Sequence, residues 1–187
     1  MFDQSVEGFL DDVAARTSAP GGGAVSAVAV GMAAALTGMA ARFSDRQLES
    51  AHDLAEKADV LRREILPLAQ ADADAYASLM AALRLPKDDP GRDDAVATAA
   101  REAARVPLEI AAFGAEVALL AARLAEAGNP NLKGDAVAAA LLASAAARTC
   151  ANLVRINLDE GADEYARGMK HAEAAENASE RALAARI

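Results

Sequence analysis

The sequence has few of the residues that β-strands favour. Aromatic residues make up 3% of its 187 positions, tryptophan is absent, and valine, isoleucine and threonine together supply 19 residues. Alanine, which has the highest helix propensity, supplies 53 residues. Because strands favour β-branched and aromatic side chains, this composition excludes an all-β fold and predicts an all-α one. The length suits a single domain over residues 1–187.

Cysteine and basic residues are also scarce. Cys150 is the only cysteine, so no internal disulfide can form and nothing indicates an oxidising compartment. Lysine and arginine supply 19 residues against 28 aspartates and glutamates, which gives a net charge of −9. Without a Lys/Arg-rich run, such a chain is not expected to bind nucleic acid. The acidic start lacks the basic flank of a signal peptide, so we expect a cytoplasmic location.

Residues 18–41 form an uncharged stretch that is long enough to span a bilayer. Nine of these residues are alanine and five are glycine, which gain little in hydrocarbon compared with leucine or phenylalanine. No aromatic belt flanks the stretch. We therefore expect a buried central helix and no membrane partner.

Apolar periodicity predicts an antiparallel bundle of about six helices. Their expected bounds are 5–16, a helix after the glycine run that ends near 42, 48–83, 93–127, 135–158 and 163–186. Pro67 falls inside the third helix and should kink or break it, and Pro107 should bend the fourth. Large core side chains are few, so we expect a homodimer or a larger homo-oligomer.

Two segments combine polar groups with apolar surroundings. Pro20-Gly21-Gly22-Gly23 precedes a helix, where successive glycine amides can hold an anion or a carbonyl oxygen; a plain turn is the alternative. Asp72 continues a core-facing stripe at helical spacing, so its carboxyl group must be paired, hydrogen-bonded or neutral. Such a group is a candidate for acid-base chemistry, with a buried structural hydrogen bond as the alternative.

A third segment leads from Gly128 into the fifth predicted helix. Asp135 is placed to cap that helix, and capping alone would explain it. Asn152 lies on the helix face that carries Leu142 and Ile156, and needs a hydrogen-bond partner there.

Motifs for metal and nucleophile chemistry are missing. The sequence has no H-E-x-x-H or C-x-x-C motif, so we expect no protein-bound metal or cofactor. Its two histidines, His52 and His171, lie in charged segments. Cys150 has no histidine near it in sequence and is interpreted as a small core residue.

An ordered set of motifs resembles the cyclodeaminase part of formiminotransferase-cyclodeaminase, whose stand-alone relatives include methenyltetrahydrofolate cyclohydrolases. The set covers nearly the whole chain. It comprises Ser18-Ala19-Pro20-Gly21-Gly22-Gly23, Asp72-Ala73-Asp74-Ala75-Tyr76, Leu85-Pro86-Lys87, Val106-Pro107-Leu108, Gly128-Asn129, Asp135, and residues 152–158. Ala24 and Gly134 stand where the family often has serine.

The resemblance implies an all-helical, dimer-forming enzyme that binds a tetrahydrofolate derivative as its substrate, in a groove between subunits. Such an enzyme closes formiminotetrahydrofolate to methenyltetrahydrofolate with loss of ammonia. The alternatives are a methenyltetrahydrofolate cyclohydrolase and a non-catalytic, folate-binding helical oligomer. On this reading Asp72 or Asp135 supplies acid-base catalysis, and Lys87 and Arg148 face the glutamate tail. The expected substrate-binding residues are Pro20, Gly21, Gly22, Gly23, Lys87, Asn129, Arg148 and Asn152.

Overall fold

The structure is a computed structural model that describes residues 4–158 and 161–185. Over these ranges the chain forms seven α-helices and no strand, so the predicted all-α class is confirmed. The helices are α1 Val6–Ala14, α2 Gly22–Arg42, α3 Ala51–Ile65, α4 Pro67–Leu83, α5 Arg92–Ala127, α6 Lys133–Asn157 and α7 Asp163–Ala184. Long α5 packs against α6 and α7, while α2 packs between α6 and α3.

Two prolines have different effects on the helices. The segment predicted as one helix over 48–83 is two, because α3 ends at Ile65 and α4 begins at Pro67. Proline is tolerated at a first helical position, where its missing amide would have no partner within the helix. Pro107 instead lies inside the continuous helix α5. The bundle therefore has seven helices where the sequence predicts about six.

Small residues bring the helices of the core close together. A β-carbon at Gly31 would lie 2.9 Å from Cδ2 of Leu66, and one at Gly114 would lie 3.0 Å from the carbonyl oxygen of Ala143. These approaches bring α2 against the junction of α3 and α4, and α5 against α6. The small residues of α2 and α5 therefore allow the helices to pack closely.

Two helices are long and apolar enough to cross a membrane by length and composition, α2 and the segment Pro130–Asn157. In the most apolar stretch of α2, 61% of the residues are buried inside the bundle, and in that of the second segment 50% of the residues are buried. The burial of α2 agrees with the central helix that the sequence predicts.

One predicted face of α6 is exposed. Leu142 and Ile156 have exposed fractions of 39% and 66%, and Asn152 lies beside them on the same exposed face. The buried face of α6 consists mainly of alanine, with Cys150 and Val154 near its end. Alanine lets α6 approach α2 and α5 closely, so its larger side chains are left on the outside.

Helix α1 has no buried residue, although its sequence is amphipathic. Val6 and Leu10 on its apolar side are 77% and 59% exposed.

Candidate active site

Asp72 lies against the N-terminus of α2. Its Oδ2 atom accepts a hydrogen bond of 3.0 Å from the backbone N–H of Ala24. A β-carbon at Gly23 would lie 2.0 Å from Oδ1 of the same carboxyl group. Only glycine leaves space for the carboxyl group in this position. The glycine run therefore receives a carboxylate of its own chain, which also has a favourable interaction with the helix dipole.

A cavity of about 320 Å³ opens beside this carboxyl group. Four helices and the segment before α2 contribute to its wall. Its lining residues are Ser18, Ala19, Gly21, Gly22, Gly23, Asp72, Ala73, Tyr76, Ala103, Pro107, Leu153, Ile156 and Asn157. Asp72 is the only charged side chain on this lining, as far as the described residues show.

Burial raises the pKa of Asp72 above the ordinary value of 3.8, and the hydrogen bond from Ala24 opposes that shift. Desolvation is the larger effect, so the carboxyl group holds its proton to a higher pH than an exposed aspartate. Asp74, two residues along α4, is exposed and accepts a hydrogen bond from Gln70. The half-burial of Asp72 agrees with its predicted place on the core-facing stripe, whereas Asp74 lies on the exposed side of α4. Asp72 is a structural hydrogen-bond acceptor and also a wall of the cavity.

Cys150 lies behind Asp72 and is fully buried. Burial raises the pKa of its thiol to about 12, while a hydrogen bond with Ser26 lowers it and the charge of Asp72 raises it. A thiol with this pKa stays protonated near neutral pH and is a poor nucleophile. The interpretation of Cys150 as a small core residue agrees with this placement.

Asp135 lies near the other end of the bundle. A β-carbon at Gly22 would lie 3.8 Å from Cδ1 of Leu153, so the N-terminus of α2 lies beside Leu153. Asp135 precedes Leu153 by about 27 Å along α6, at 1.5 Å per residue. The predicted cap is also wrong: α6 begins at Lys133, and its described N-terminus has no side-chain capping bond. A 3₁₀ turn, Pro130–Leu132, leads directly into the helix, so Asp135 falls within its first turn.

Asn129 holds the connection between α5 and α6. Its Nδ2 donates to the carbonyl oxygen of Phe43, its backbone N–H donates to Oγ of Ser44, and its Oδ1 accepts from the N–H of Asn131. Within one chain this network lies at the Asp135 end of the bundle, away from Asp72. Asn129 therefore has a structural role through its hydrogen bonds and does not lie at the cavity.

Of the other predicted binding residues, Gly21, Gly22 and Gly23 line the cavity, whereas Pro20, Lys87, Arg148 and Asn152 do not. Lys87 is exposed in the loop between α4 and α5. Arg148 forms an ion pair with Glu176 of α7, and Oδ1 of Asn152 accepts a hydrogen bond of 2.9 Å from Arg155. Arg148 and Asn152 line a separate groove between α6 and α7.

Asn157 is a cavity residue that the sequence reasoning missed as a site residue. Its Nδ2 donates a hydrogen bond of 2.7 Å to the carbonyl oxygen of Ala103. Pro107 has no N–H to offer that carbonyl, since proline removes the helical hydrogen bond four residues back. The proline inside α5 was therefore a signal that another residue must supply a donor at this point.

A cluster of metal-ligating side chains lies elsewhere on the surface. His52, Asp53 and Glu56 bring ligand atoms within 4.8 Å of one another on α3, and all three are exposed. Their exposure agrees with the interpretation of this segment as a solvated charged face.

Comparisons with known proteins assign the chain to a family. A model of the formiminotransferase-cyclodeaminase family matches residues 5–176. The chain belongs to the formiminotransferase-cyclodeaminase family. The resemblance inferred from the motifs is thereby confirmed.

Three members of the formiminotransferase-cyclodeaminase family show how the similarity is distributed. A methenyltetrahydrofolate cyclohydrolase of Methylorubrum extorquens is 34% identical over 88% of this chain and 83% of its own length. A formimidoyltransferase-cyclodeaminase of mouse is 30% identical over 91% of this chain, which spans about a third of the mouse protein, 34%. The crystal structure of a formiminotetrahydrofolate cyclodeaminase from Thermotoga maritima matches with a TM-score of 0.87 and 28% identity, covering 98% of this chain and 96% of that one.

Proposed function

We propose that this protein is a formiminotetrahydrofolate cyclodeaminase in which Asp72 transfers the proton. Family membership and the structural match to a formiminotetrahydrofolate cyclodeaminase over nearly the full chain support the substrate class. The observation that carries the proposal is the half-buried Asp72 carboxyl group on a cavity lining that is otherwise uncharged where the structure describes it.

The charge of the cavity suits the charge of the substrate. A formimino group is an amidine that is protonated and cationic near neutral pH, and the methenyl product is also a cation. A single carboxylate in a cavity of low polarity stabilises such a cation more strongly than it would in water. We therefore place the one-carbon group of the substrate beside Asp72.

Asp72 can move the one proton that ring closure must transfer. N10 of the substrate attacks the formimino carbon, and a bond forms between them. The Asp72 carboxylate takes the proton from N10 and then gives it to the exocyclic nitrogen. The bond from carbon to that nitrogen breaks, ammonia leaves with the electron pair, and the methenyl cation remains. Asp72 ends as a carboxylate, ready for the next turnover.

The raised pKa of Asp72 supports this assignment. An acid-base catalyst works best when its pKa is close to the working pH, because both protonation states are then accessible. Burial moves the pKa of Asp72 in that direction from the ordinary value of 3.8.

The second candidate function is hydrolysis of methenyltetrahydrofolate. The observation that favours it is the 34% identity to a methenyltetrahydrofolate cyclohydrolase along 83% of that enzyme. In this reaction water adds to the methenyl carbon and Asp72 takes a proton from the water. Ring opening then yields the formyl compound, and one proton is released to solvent.

We further propose that two chains form an antiparallel dimer and complete the site. Helix α2, which packs against α6, carries an uncharged exposed stripe that includes Val25 and Met32, at 39% and 53% exposure. Asp135 lies on the exposed face of α6, at helical spacing from Leu142. Exposed apolar surface on neighbouring helices is typical of protein interfaces.

A two-fold axis across these stripes pairs unlike ends of the two chains. The Asp135 end of α6 in one chain then lies against the N-terminus of α2 in the other, where the cavity opens. This arrangement would give Asp135 a place near Asp72 that it does not have within one chain.

A groove next to the cavity offers a place for the glutamate tail. It has a volume of about 1010 Å³ and shares Ile156 and Asn157 with the cavity. Arg101 lines it and forms no ion pair with any residue in the described ranges. We propose that Arg101 faces the tail carboxylates, in place of Lys87 and Arg148.

A pair of assays tests the proposed reaction. The purified protein is given 5-formiminotetrahydrofolate, then methenyltetrahydrofolate, and the absorption of the methenyl compound and the release of ammonia are followed. Appearance of both methenyl compound and ammonia supports the cyclodeaminase. Loss of the methenyl compound without ammonia supports the cyclohydrolase instead. Binding of either folate without turnover in both assays would contradict an enzymatic role.

A further inference from the structure

The carbonyl oxygen of Ala103 has an unusual partner inside the bundle. Ala103 is 4% exposed, so its backbone carbonyl needs a hydrogen bond. Pro107 lies four residues later in α5 and cannot donate one. The side chain of Asn157, at the end of α6, makes this bond at 2.7 Å.

This bond determines which end of the Asn157 amide faces away from α5. A carbonyl can only accept, so the Nδ2 group must be the one that faces Ala103. The Oδ1 atom then faces away from Ala103 and can accept a hydrogen bond from another group. No donor to this oxygen is found among residues 4–158 and 161–185.

Asn157 is located where a ligand would pass from one space to the other. It is half-buried and lines both the cavity beside Asp72 and the groove that carries Arg101. An acceptor of fixed direction at this junction can discriminate between ligands that present a donor and ligands that present an acceptor. Leaving such a group unpaired against a bound ligand is unfavourable, because its hydrogen bonds to water are lost and not replaced.

We propose that Oδ1 of Asn157 is a specificity-determining acceptor for an N–H group of the bound folate, between its one-carbon group and its glutamate tail. The inference rests on the proposed function, because it takes a folate as the ligand. Pro107 acts as a positioning residue: by withdrawing the backbone donor, it commits the Nδ2 group to Ala103 and keeps Oδ1 available. Asn157 thus has a structural role through its nitrogen and a binding role through its oxygen.

Two substitutions separate these roles. Asn157→Ala removes both the donor and the acceptor, so it should lower the melting temperature and weaken binding. Pro107→Ala provides a new backbone N–H for the carbonyl of Ala103. The double variant therefore regains the structural hydrogen bond but still lacks the acceptor oxygen.

The experiment measures melting temperature and the Kd for 5-formyltetrahydrofolate, a probe that does not require turnover. We expect Pro107→Ala to bind about threefold more weakly than the wild type, because the amide of Asn157 is no longer held by Ala103. Asn157→Ala should bind about tenfold more weakly, a typical value for one lost hydrogen bond. The double variant should regain the wild-type melting temperature and remain about tenfold weaker in binding. Asn177→Ala, on the exposed side of α7, is the control and should change neither quantity.

The opposite pattern would overturn the inference. If the double variant recovers both melting temperature and affinity, Asn157 acts only through its nitrogen and is purely structural. If Asn157→Ala binds the probe as tightly as the wild type, its oxygen does not contact the ligand. A wild-type protein that does not bind the probe would contradict the proposed function itself, and with it this inference.

Discussion

The carboxyl group of Asp72 occupies the space that a β-carbon at Gly23 would need. Oδ1 lies 2.0 Å and Cγ 2.4 Å from that position. A side chain at position 23 would therefore collide with the carboxyl group of Asp72. The N–H of Ala24 then holds the other carboxyl oxygen at 3.0 Å. The third glycine of the run is therefore required by an aspartate 49 positions later in the sequence, and the pair positions the acid-base group of the cavity.

Gly23→Ala should displace the carboxyl group of Asp72 and break its bond with Ala24. We expect kcat to fall at least tenfold, since proton transfer depends on the position of the carboxyl group. Steady-state assays with 5-formiminotetrahydrofolate measure the effect. Gly134→Ala is the matched control, because a β-carbon there has no atom within 4 Å. Equal kcat for the two variants would show that the Gly23 contact does not position Asp72.

Asp72→Asn should raise the melting temperature at neutral pH, although it removes a catalytic group. The raised pKa means that the aspartate contributes most stability below the ordinary value of 3.8, and that this contribution is lost as the pH rises through the folded pKa. Asparagine keeps an acceptor for the N–H of Ala24 without a charge. Thermal melts of both proteins from pH 3 to pH 8 should show a difference that grows with pH and then levels off. A difference independent of pH would contradict the desolvation of Asp72.

Two features of the candidate site follow from local patterns in the sequence. Asp72 falls on a helical stripe with Ile65 and Leu68, and the glycine run ends at a helix, so both could be assigned without coordinates. Asn157 could not, because its role depends on a carbonyl of Ala103 that only the packing of α5 against α6 brings near it. The sequence shows that Pro107 lacks a backbone donor, but it does not show that Asn157 supplies the donor instead.

The predicted faces of α6 show a different limit. Leu142 and Ile156 are two of its large apolar residues, and periodicity alone places large apolar residues in the core. In this alanine-rich bundle the close approach of helices leaves room for small residues such as Ala143 inside, and the larger ones lie outside. The exposed face is the surface that the proposed dimer would bury, and the periodicity of one chain does not distinguish such a surface from a core.

In the proposed antiparallel dimer, two variants that are each inactive alone should restore activity when they are combined. Asp72→Asn and Asp135→Asn should each be inactive alone, since each removes one carboxylate from both shared sites. Mixed dimers contain one site with both aspartates, so unfolding and refolding an equal mixture should recover about a quarter of the wild-type activity. The refolded mixture is compared with the separately refolded variants. Activity that stays at the level of the single variants would exclude a site shared in this way.

Arg101→Gln tests the tail groove. We expect a higher KM for 5-formiminotetrahydrofolate with kcat nearly unchanged, because a tail contact made equally in ground and transition states affects binding alone. The rise in KM should be larger for a polyglutamylated substrate than for the monoglutamate, and smaller at high salt. Arg148→Gln, which removes the ion pair with Glu176, is the comparison. An equal effect of both variants would place the tail elsewhere.

Asp72→Asn tests most directly whether Asp72 transfers the proton during turnover of a folate. Asp74→Asn is the control, because Asp74 is the exposed neighbour of Asp72 on α4. The measurement is kcat for 5-formiminotetrahydrofolate together with the Kd for 5-formyltetrahydrofolate. We predict that Asp72→Asn lowers kcat by about 10²–10⁴-fold with Kd changed only severalfold, the range typical of a lost general acid-base group. Asp74→Asn should match the wild type in both quantities. Full turnover by a folded Asp72→Asn protein would contradict the account.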